Sequence, residues 1–243
     1  STSLSLQGLK NTFLAGGKKR EDFAVGIEWE KIGVYRNNGE AVRYSGQRGV
    51  QAIFGTLVRE KGWEAVGNSS GLPIALKKGG LSITLEPGGQ IELSGQKARH
   101  LTDNAGELLS HLKDIKEISD PLGVVWLGLG AQPFSAAETI EWVPKDRYAA
   151  MRSKLADKGP LTYRMMKETA SVQISIDYLD EKDAVKKLRL AMALSPVLTA
   201  LFANSPLEKG ALSGSLSRRA LIWRGTDPDR TGIAGENQGC NQS

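Results

Sequence analysis

The stretch ITLEPGGQIELSG, residues 83–95, sets two carboxylates, Glu86 and Glu92, around Pro87-Gly88-Gly89 in a segment otherwise built largely of Ile, Leu, Ser and Thr. Two more acids, Glu28 and Glu30, alternate in GIEWEKIG. In a strand, alternate side chains share a face. Glu28 and Glu30 then lie opposite Val25, Ile27 and Trp29, and Gln90, Glu92 and Ser94 lie opposite Ile91 and Leu93. A third segment repeats the pattern, with Ser171, Gln173, Ser175 and Asp177 opposite Val172, Ile174 and Ile176. A sheet face that merely meets water usually mixes in Lys, Arg and Thr, whereas this one is mainly Glu and Gln. Carboxylates gathered on one face repel unless a positive charge sits among them. The available ligand atoms are oxygens, so the expected ion is hard, Mg²⁺ or Mn²⁺. Pro87 withdraws a ladder donor and Gly88-Gly89 opens backbone angles closed to other residues. The strand is expected to bulge there and aim Glu86 and Glu92 at one site.

A divalent ion beside a basic surface points to phosphate. The chain of 243 residues carries a formal charge of +5, which suits anionic small molecules as well as nucleic acid. Arg147, Arg218, Arg219, Arg224 and Arg230 are candidate clamps, because a guanidinium fork matches phosphate and carboxylate. Other chemistries lack their residues. The two histidines, His100 and His111, fall in a helical pattern and are each read as satisfied or solvated. The single cysteine, Cys240, allows neither an internal disulfide nor a cysteine-based metal site. Gly128-Leu129-Gly130 lacks the third glycine of a dinucleotide fingerprint, and no P-loop pattern occurs. A nucleic-acid module is disfavoured, because basic residues are spread along the chain and aromatics are only 6%. The longest apolar run, LRLAMALSPVLTALFA, is broken by Arg189 and Pro196 and falls short of the roughly 20 residues of a membrane span. Asn68-Ser69-Ser70 and Asn241-Gln242-Ser243 match glycosylation sequons, but no secretion signal accompanies them. One cysteine and the lack of a transit-type leader at Ser1 favour a reducing, cytoplasmic setting.

Helices and short strands must position these groups. Leu4, Leu6, Leu9, Phe13 and Leu14 before Gly16-Gly17 predict a short amphipathic helix. The Glu28–Glu30 strand ends in the turn Asn37-Asn38-Gly39. Residues 48–62 read as helix through Val50, Ile53, Phe54, Leu57 and Val58. Strands follow at LPIALKK and LSITLE, then a long helix over 98–120 with Leu101, Leu108, Leu109, Leu112 and Ile115. VVWLGLG reads as a buried strand. After ASVQISIDY, an Asp-capped helix runs on and is expected to kink or divide at Pro196. LSRRALIW is a last helical turn or short strand. The pattern predicts α+β with a largely antiparallel sheet. Residues 1–232 are read as one domain and 233–243 as a polar tail.

The segments GIEWEKIG, ITLEPGGQIELSG, LGLGAQP, PKDRYAAM, TASVQISID, ALFANSPLEKG, LSRRALIW and TDPDRTG occur in this order. Together they resemble the plant-type glutamate–cysteine ligases, also found in many bacteria, from about Leu6 to Gly232. The resemblance implies a glutamine-synthetase-like fold, α+β with a curved, mostly antiparallel sheet and helices packed outside. It implies that ATP phosphorylates the γ-carboxylate of L-glutamate and that the amine of L-cysteine then displaces phosphate, the first step of glutathione synthesis. A related ligase with another amine acceptor, or a catalytically incomplete fragment, is the alternative. By motif position, Glu28, Glu30, Glu86, Glu92 and Gln173 would hold Mg²⁺ between the ATP phosphates and glutamate. Arg219 would bind the glutamate α-carboxylate or the transferred phosphoryl group, with Arg230 beside it in the catalytic set. Arg147 and Arg218 would contact ATP, and Tyr148 and Trp223 would shape the substrate pocket. The family's chains continue beyond the DRTG motif, so a shortened ATP pocket and weak or absent activity of the chain alone are expected.

Overall fold

The computed structural model describes residues 5–155 and 157–231. The tail expected at 233–243, Cys240 and the second sequon lie outside them. Helix α1 (Leu6–Ala15) precedes the long strand β1 (Val25–Tyr35), followed by α2 (Val50–Lys61), β2 (Glu64–Gly67), β3 (Pro73–Lys78), β4 (Leu81–Leu85) and β5 (Ile91–Ser94). Then come α3 (Leu101–Ser119), β6 (Val124–Leu127), α4 (Asp146–Leu155), α5 (Thr162–Glu168), β7 (Val172–Ile176), α6 (Glu181–Leu201), the small hairpin β8 (Leu207–Glu208) and β9 (Ala211–Leu212), and α7 (Arg218–Arg224).

Strands order as β2-β3-β4-β5-β1-β6, with β7 also on β1. The named strand pairs are all antiparallel. The fold is thus mixed α+β around an antiparallel sheet. Glu28 pairs with Ser94 of β5 and with Gln173 of β7, so these strands flank β1 on opposite sides. The far half of β1 pairs with β6.

One face of the sheet is the core. Trp29, Leu93 and Ile83 share a cross-strand row and meet Val50, Ile53, Phe54 and Leu57 of α2. Those four helix positions are fully buried and follow the i, i+3, i+4, i+7 spacing. Gly62, at φ +69°, closes α2 by donating its N–H to Leu57 O.

The structure differs from the sequence pattern at several elements. ITLEPGGQIELSG is not one bulged strand; it folds back as the hairpin β4–β5, with Leu85 opposite Ile91. Helix α6 runs unbroken through Pro196, whose missing N–H removes one ladder bond without ending the helix. The apolar residues of α1 and α6 and the apolar face of β7 (Val172, Ile174 and Ile176) are exposed. Leu101 and Leu109 of α3 also face outward, and its inner face is Asn104, His111, Ile115 and Ile118.

His111 therefore departs from the expected solvated or satisfied histidine. It is 4% exposed, and neither ring nitrogen has a hydrogen-bond partner among the described residues. Burial, aided by nearby Lys31, pushes its pKa from 6.5 to about 3. Below pH 6.5 the unfolded chain takes up a proton that the folded one refuses, so this group's contribution falls as pH drops toward 3. His111→Leu removes two unmet polar atoms and is expected to stabilise by about 1 kcal/mol at neutral pH, and by more at pH 5. Melting temperatures at the two pH values check both the sign and the trend.

Candidate active site

The opposite face of the sheet carries the acids. Glu30 and Glu92 are direct cross-strand partners, and Thr84 sits opposite Glu92 on the next strand. Glu86 is the first residue beyond β4 and is brought over this row by its turn. Gly89 donates its N–H to Glu86 O at 2.9 Å and sits at φ +84°, a left-handed conformation that glycine adopts freely. The turn is pinned to the end of α5, because Gln90 Nε2 donates to Thr169 O at 2.8 Å and Gln90 Oε1 accepts from Gly88 N at 2.9 Å. A Cβ on Gly88 would lie 2.3 Å from Lys167 O. Gly88→Ala is accordingly expected to destabilise the protein by ~1–3 kcal/mol and shift Glu86 away from its partners; urea unfolding with a metal titration tests both.

As a result, ligand oxygens of Glu30, Glu86 and Glu92 all lie within 4.8 Å of one another. Glu28 shares the face but stands outside this trio, beside a cavity of ≈210 Å³ that Ser94, Lys97, Ser175 and Asp177 also line. Glu30 is held by Ser171, through its N–H at 2.6 Å and Oγ at 3.2 Å, and by Gln173 Nε2 at 3.1 Å. Gln173 therefore already serves the trio as a donor that orients Glu30. Glu92 Oε1 accepts from Thr84 Oγ1 at 3.0 Å and Ser94 Oγ at 3.1 Å.

The trio's own charge is only partly compensated. Burial, then Glu86, raises the Glu30 pKa to about 7 against the opposing Ser171 hydrogen bonds. Burial and Glu92 raise Glu86 too, opposed by Lys145 and Arg147. Burial and Glu92 also raise Glu28. Carboxylates pushed upward by burial and by one another mark a site that gains by taking up a cation.

Cations flank the trio on two sides. From the start of α4, Arg147 Nη2 lies 3.8 Å from Glu86 Oε1 and donates to Tyr148 Oη at 3.1 Å. Tyr148 is buried and donates to Leu85 O at 2.6 Å. Burial and Glu86 raise its pKa. Lys145 Nζ donates to the same carbonyl at 2.6 Å, and burial, then Arg147, pulls its pKa down to about 8. On the Glu30 side, Arg219 donates Nε to Ala170 O at 3.1 Å and lies over the Trp223 ring, 5.4 Å from its centre. Burial lowers the Arg219 pKa, while the charge of Glu30 opposes that shift.

The chain that carries this face matches a known family in sequence. The glutamate-cysteine ligase family 2 (GCS2) profile covers residues 24–239. The chain belongs to this ligase family. It is 39% identical over 222 residues to the chloroplastic glutamate–cysteine ligases of Brassica juncea and Arabidopsis thaliana, which covers 91% of this chain and 42% of each relative. It is 36% identical over 230 residues to chloroplastic ligase B of Oryza sativa subsp. japonica, covering 95% of this chain and 46% of that one. The chain thus spans less than half the length of these curated relatives. Their chloroplastic names overturn the cytoplasmic setting expected from the cysteine count and the first residues.

Two other arginines of these motifs are held by acids of the chain. Arg218 is 4% exposed and donates to Glu168 Oε2 at 2.6 Å, Glu208 Oε1 at 3.3 Å and Gln132 O at 3.4 Å. It faces the interior, in a buried ion network, where ATP contact was expected. Arg230 is paired with Asp227 at 2.6 Å in the loop after α7. Lys145 is a site residue absent from the expected set, although it stands two residues before Arg147 in PKDRYAAM; a basic pair straddling a helix start is the available signal.

Proposed function

We propose that the protein is an ATP-dependent ligase joining the γ-carboxylate of L-glutamate to the amine of L-cysteine, the reaction named for its relatives. One observation carries this beyond family membership: three convergent carboxylates with Lys145 and Arg147 on one flank and Arg219 on the other. The donor set is oxygen only and fits Mg²⁺ or Mn²⁺, held by Glu30, Glu86 and Glu92. An ion there would neutralise phosphate and carboxylate charge as two anions approach.

The chain's own residues then bind and orient. Arg219 offers the guanidinium edge left by its bond to Ala170 to the glutamate α-carboxylate, with Trp223 packed beneath it. Gln173 and Ser171 keep Glu30 aimed inward. Arg147 meets phosphate from the Glu86 side. The γ-carboxylate oxygen attacks the γ-phosphorus and ADP leaves; the neutral cysteine amine attacks the acyl carbon, phosphate leaves, and the nitrogen sheds a proton. Direct contacts among the β4–β5 turn, α4, α5 and α7 support reading residues 1–232 as one catalytic domain. The relatives' names support a plastid setting.

Phosphate release with Mg-ATP and glutamate, measured with and without cysteine, tests the reading. Release that rises with cysteine and vanishes in Glu92→Gln is expected. Release indifferent to Glu92→Gln would contradict it.

A further inference from the structure

Lys145 has no part in the ligand set above, and its geometry gives it one. An ammonium has three N–H donors. In Lys145, one goes to Leu85 O at 2.6 Å and a second reaches Tyr148 Oη at 3.4 Å. Among the described residues Lys145 closes no ion pair within 4.0 Å, although Glu86 and Glu92 lie near enough to act on its charge. Arg147 is different: its side chain is 65% exposed and already leans on Glu86. Lys145 is thus a part-buried cation, fixed in place by the peptide that precedes Glu86, with one donor uncommitted beside the carboxylate trio.

Three carboxylates and one divalent ion leave the site net negative, while the proposed substrates bring a polyphosphate and a second carboxylate. A site that draws both anions together needs fixed positive charge beyond the ion. We propose that Lys145 is a phosphate-binding residue that donates its free N–H to the terminal phosphoryl group of the nucleotide, from the Glu86 side of the trio. The assignment rests on the ligase reading and names a contact within it. A purely positional role, with Lys145 only holding Leu85 O and hence Glu86, is the rival explanation.

Lys145→Gln separates the two, because the amide still donates to Leu85 O and the charge is gone. Lys145→Arg keeps the charge. Two titrations are read on the full chain: Mn²⁺ alone by electron paramagnetic resonance, and a non-hydrolysable ATP analogue with Mn²⁺ by calorimetry. Circular dichroism confirms that each variant folds. Lys145→Gln is expected to weaken analogue binding at least about tenfold, the scale of one charged hydrogen bond, and to leave binding of Mn²⁺ alone undiminished. Lys145→Arg is expected to retain most of the analogue affinity. Analogue binding unchanged in Lys145→Gln overturns the proposal, as does a loss of Mn²⁺ binding in that variant, which would make Lys145 a positioning residue for Glu86. If the unsubstituted chain binds Mn²⁺ but not the analogue, this proposal falls and the metal site stands. If it binds neither, the ligase reading falls with it.

Discussion

Glu30→Gln is expected to raise the stability of the metal-free protein above pH 7 and, in the same molecule, to remove its divalent-metal binding. The opposite signs come from one cause. Burial and the charges of Glu86 and Glu92 hold the Glu30 pKa at about 7, against 4.5 for an ordinary glutamate. Between those values the folded protein retains a proton that the unfolded chain has released, so stability falls as pH rises through this window. The full penalty, on the order of 2 kcal/mol, is present above pH 7. A neutral glutamine escapes it, keeps an acceptor for Ser171 N–H and gives no anionic ligand. The expected gain in melting temperature is about 4–8 °C at pH 8 and close to nothing at pH 4. Saturating Mn²⁺ should reverse the order, because binding stabilises only the chain that binds. Equal melting temperatures at pH 8 without metal would show that the three acids do not repel one another as their geometry requires.

Arg218→Met and Arg219→Met, one residue apart on α7, are expected to fail in different ways. Arg218 is 4% exposed against Glu168, itself 1% exposed. Glu168 also accepts from Ala137 N at 2.9 Å and Arg164 Nε at 3.3 Å, so one carboxylate ties α5, α7 and the loop after β6 together, while Glu208 of β8 joins the same two arginines. Removing Arg218 leaves a buried charge short of its main partner, an effect of ~3–5 kcal/mol. Urea unfolding should show that loss for Arg218→Met. Arg219 donates its side-chain Nε to one backbone oxygen, Ala170 O, at 3.1 Å, and faces Glu30. Its loss should lower stability far less and raise the KM for glutamate at least about tenfold, as expected for a charged hydrogen bond to the substrate. A well-folded Arg218→Met protein that had lost only nucleotide binding would return Arg218 to the phosphate role its motif suggested.

The period-two pattern made the acidic face of β1, β5 and β7 legible, since alternation is a local property of a strand. What it leaves open is register. Glu28 and Glu30 are equivalent by alternation, and only pairing decides that Glu30 meets Glu92 while Glu28 meets Ser94. The Pro-Gly-Gly signal suits a bulge and a hairpin turn alike, because both interrupt a strand at the same residues, and only the pairing of β4 with β5 across it makes it a hairpin. Neighbours in sequence also hid a division of labour: Arg218 and Arg219 carry the same charge, but helix geometry turns them about 100° apart, one into the interior and one toward Glu30. Apolar spacing misled in α1, read as amphipathic, whose leucines stand in the open, as do those of α6. His111 was missed for the converse reason, since a histidine within a helix gives no local sign of being buried without a partner.

The most direct test of the carboxylate centre is a titration of the purified chain with Mn²⁺ by electron paramagnetic resonance at pH 7.5, alongside Glu92→Gln. The expected result is saturable binding that Mg²⁺ competes away and that the substitution weakens by about a hundredfold, as for loss of a direct ligand. Binding of equal strength in both proteins, or none in the folded unsubstituted chain, would contradict the assignment of Glu30, Glu86 and Glu92 as its metal site.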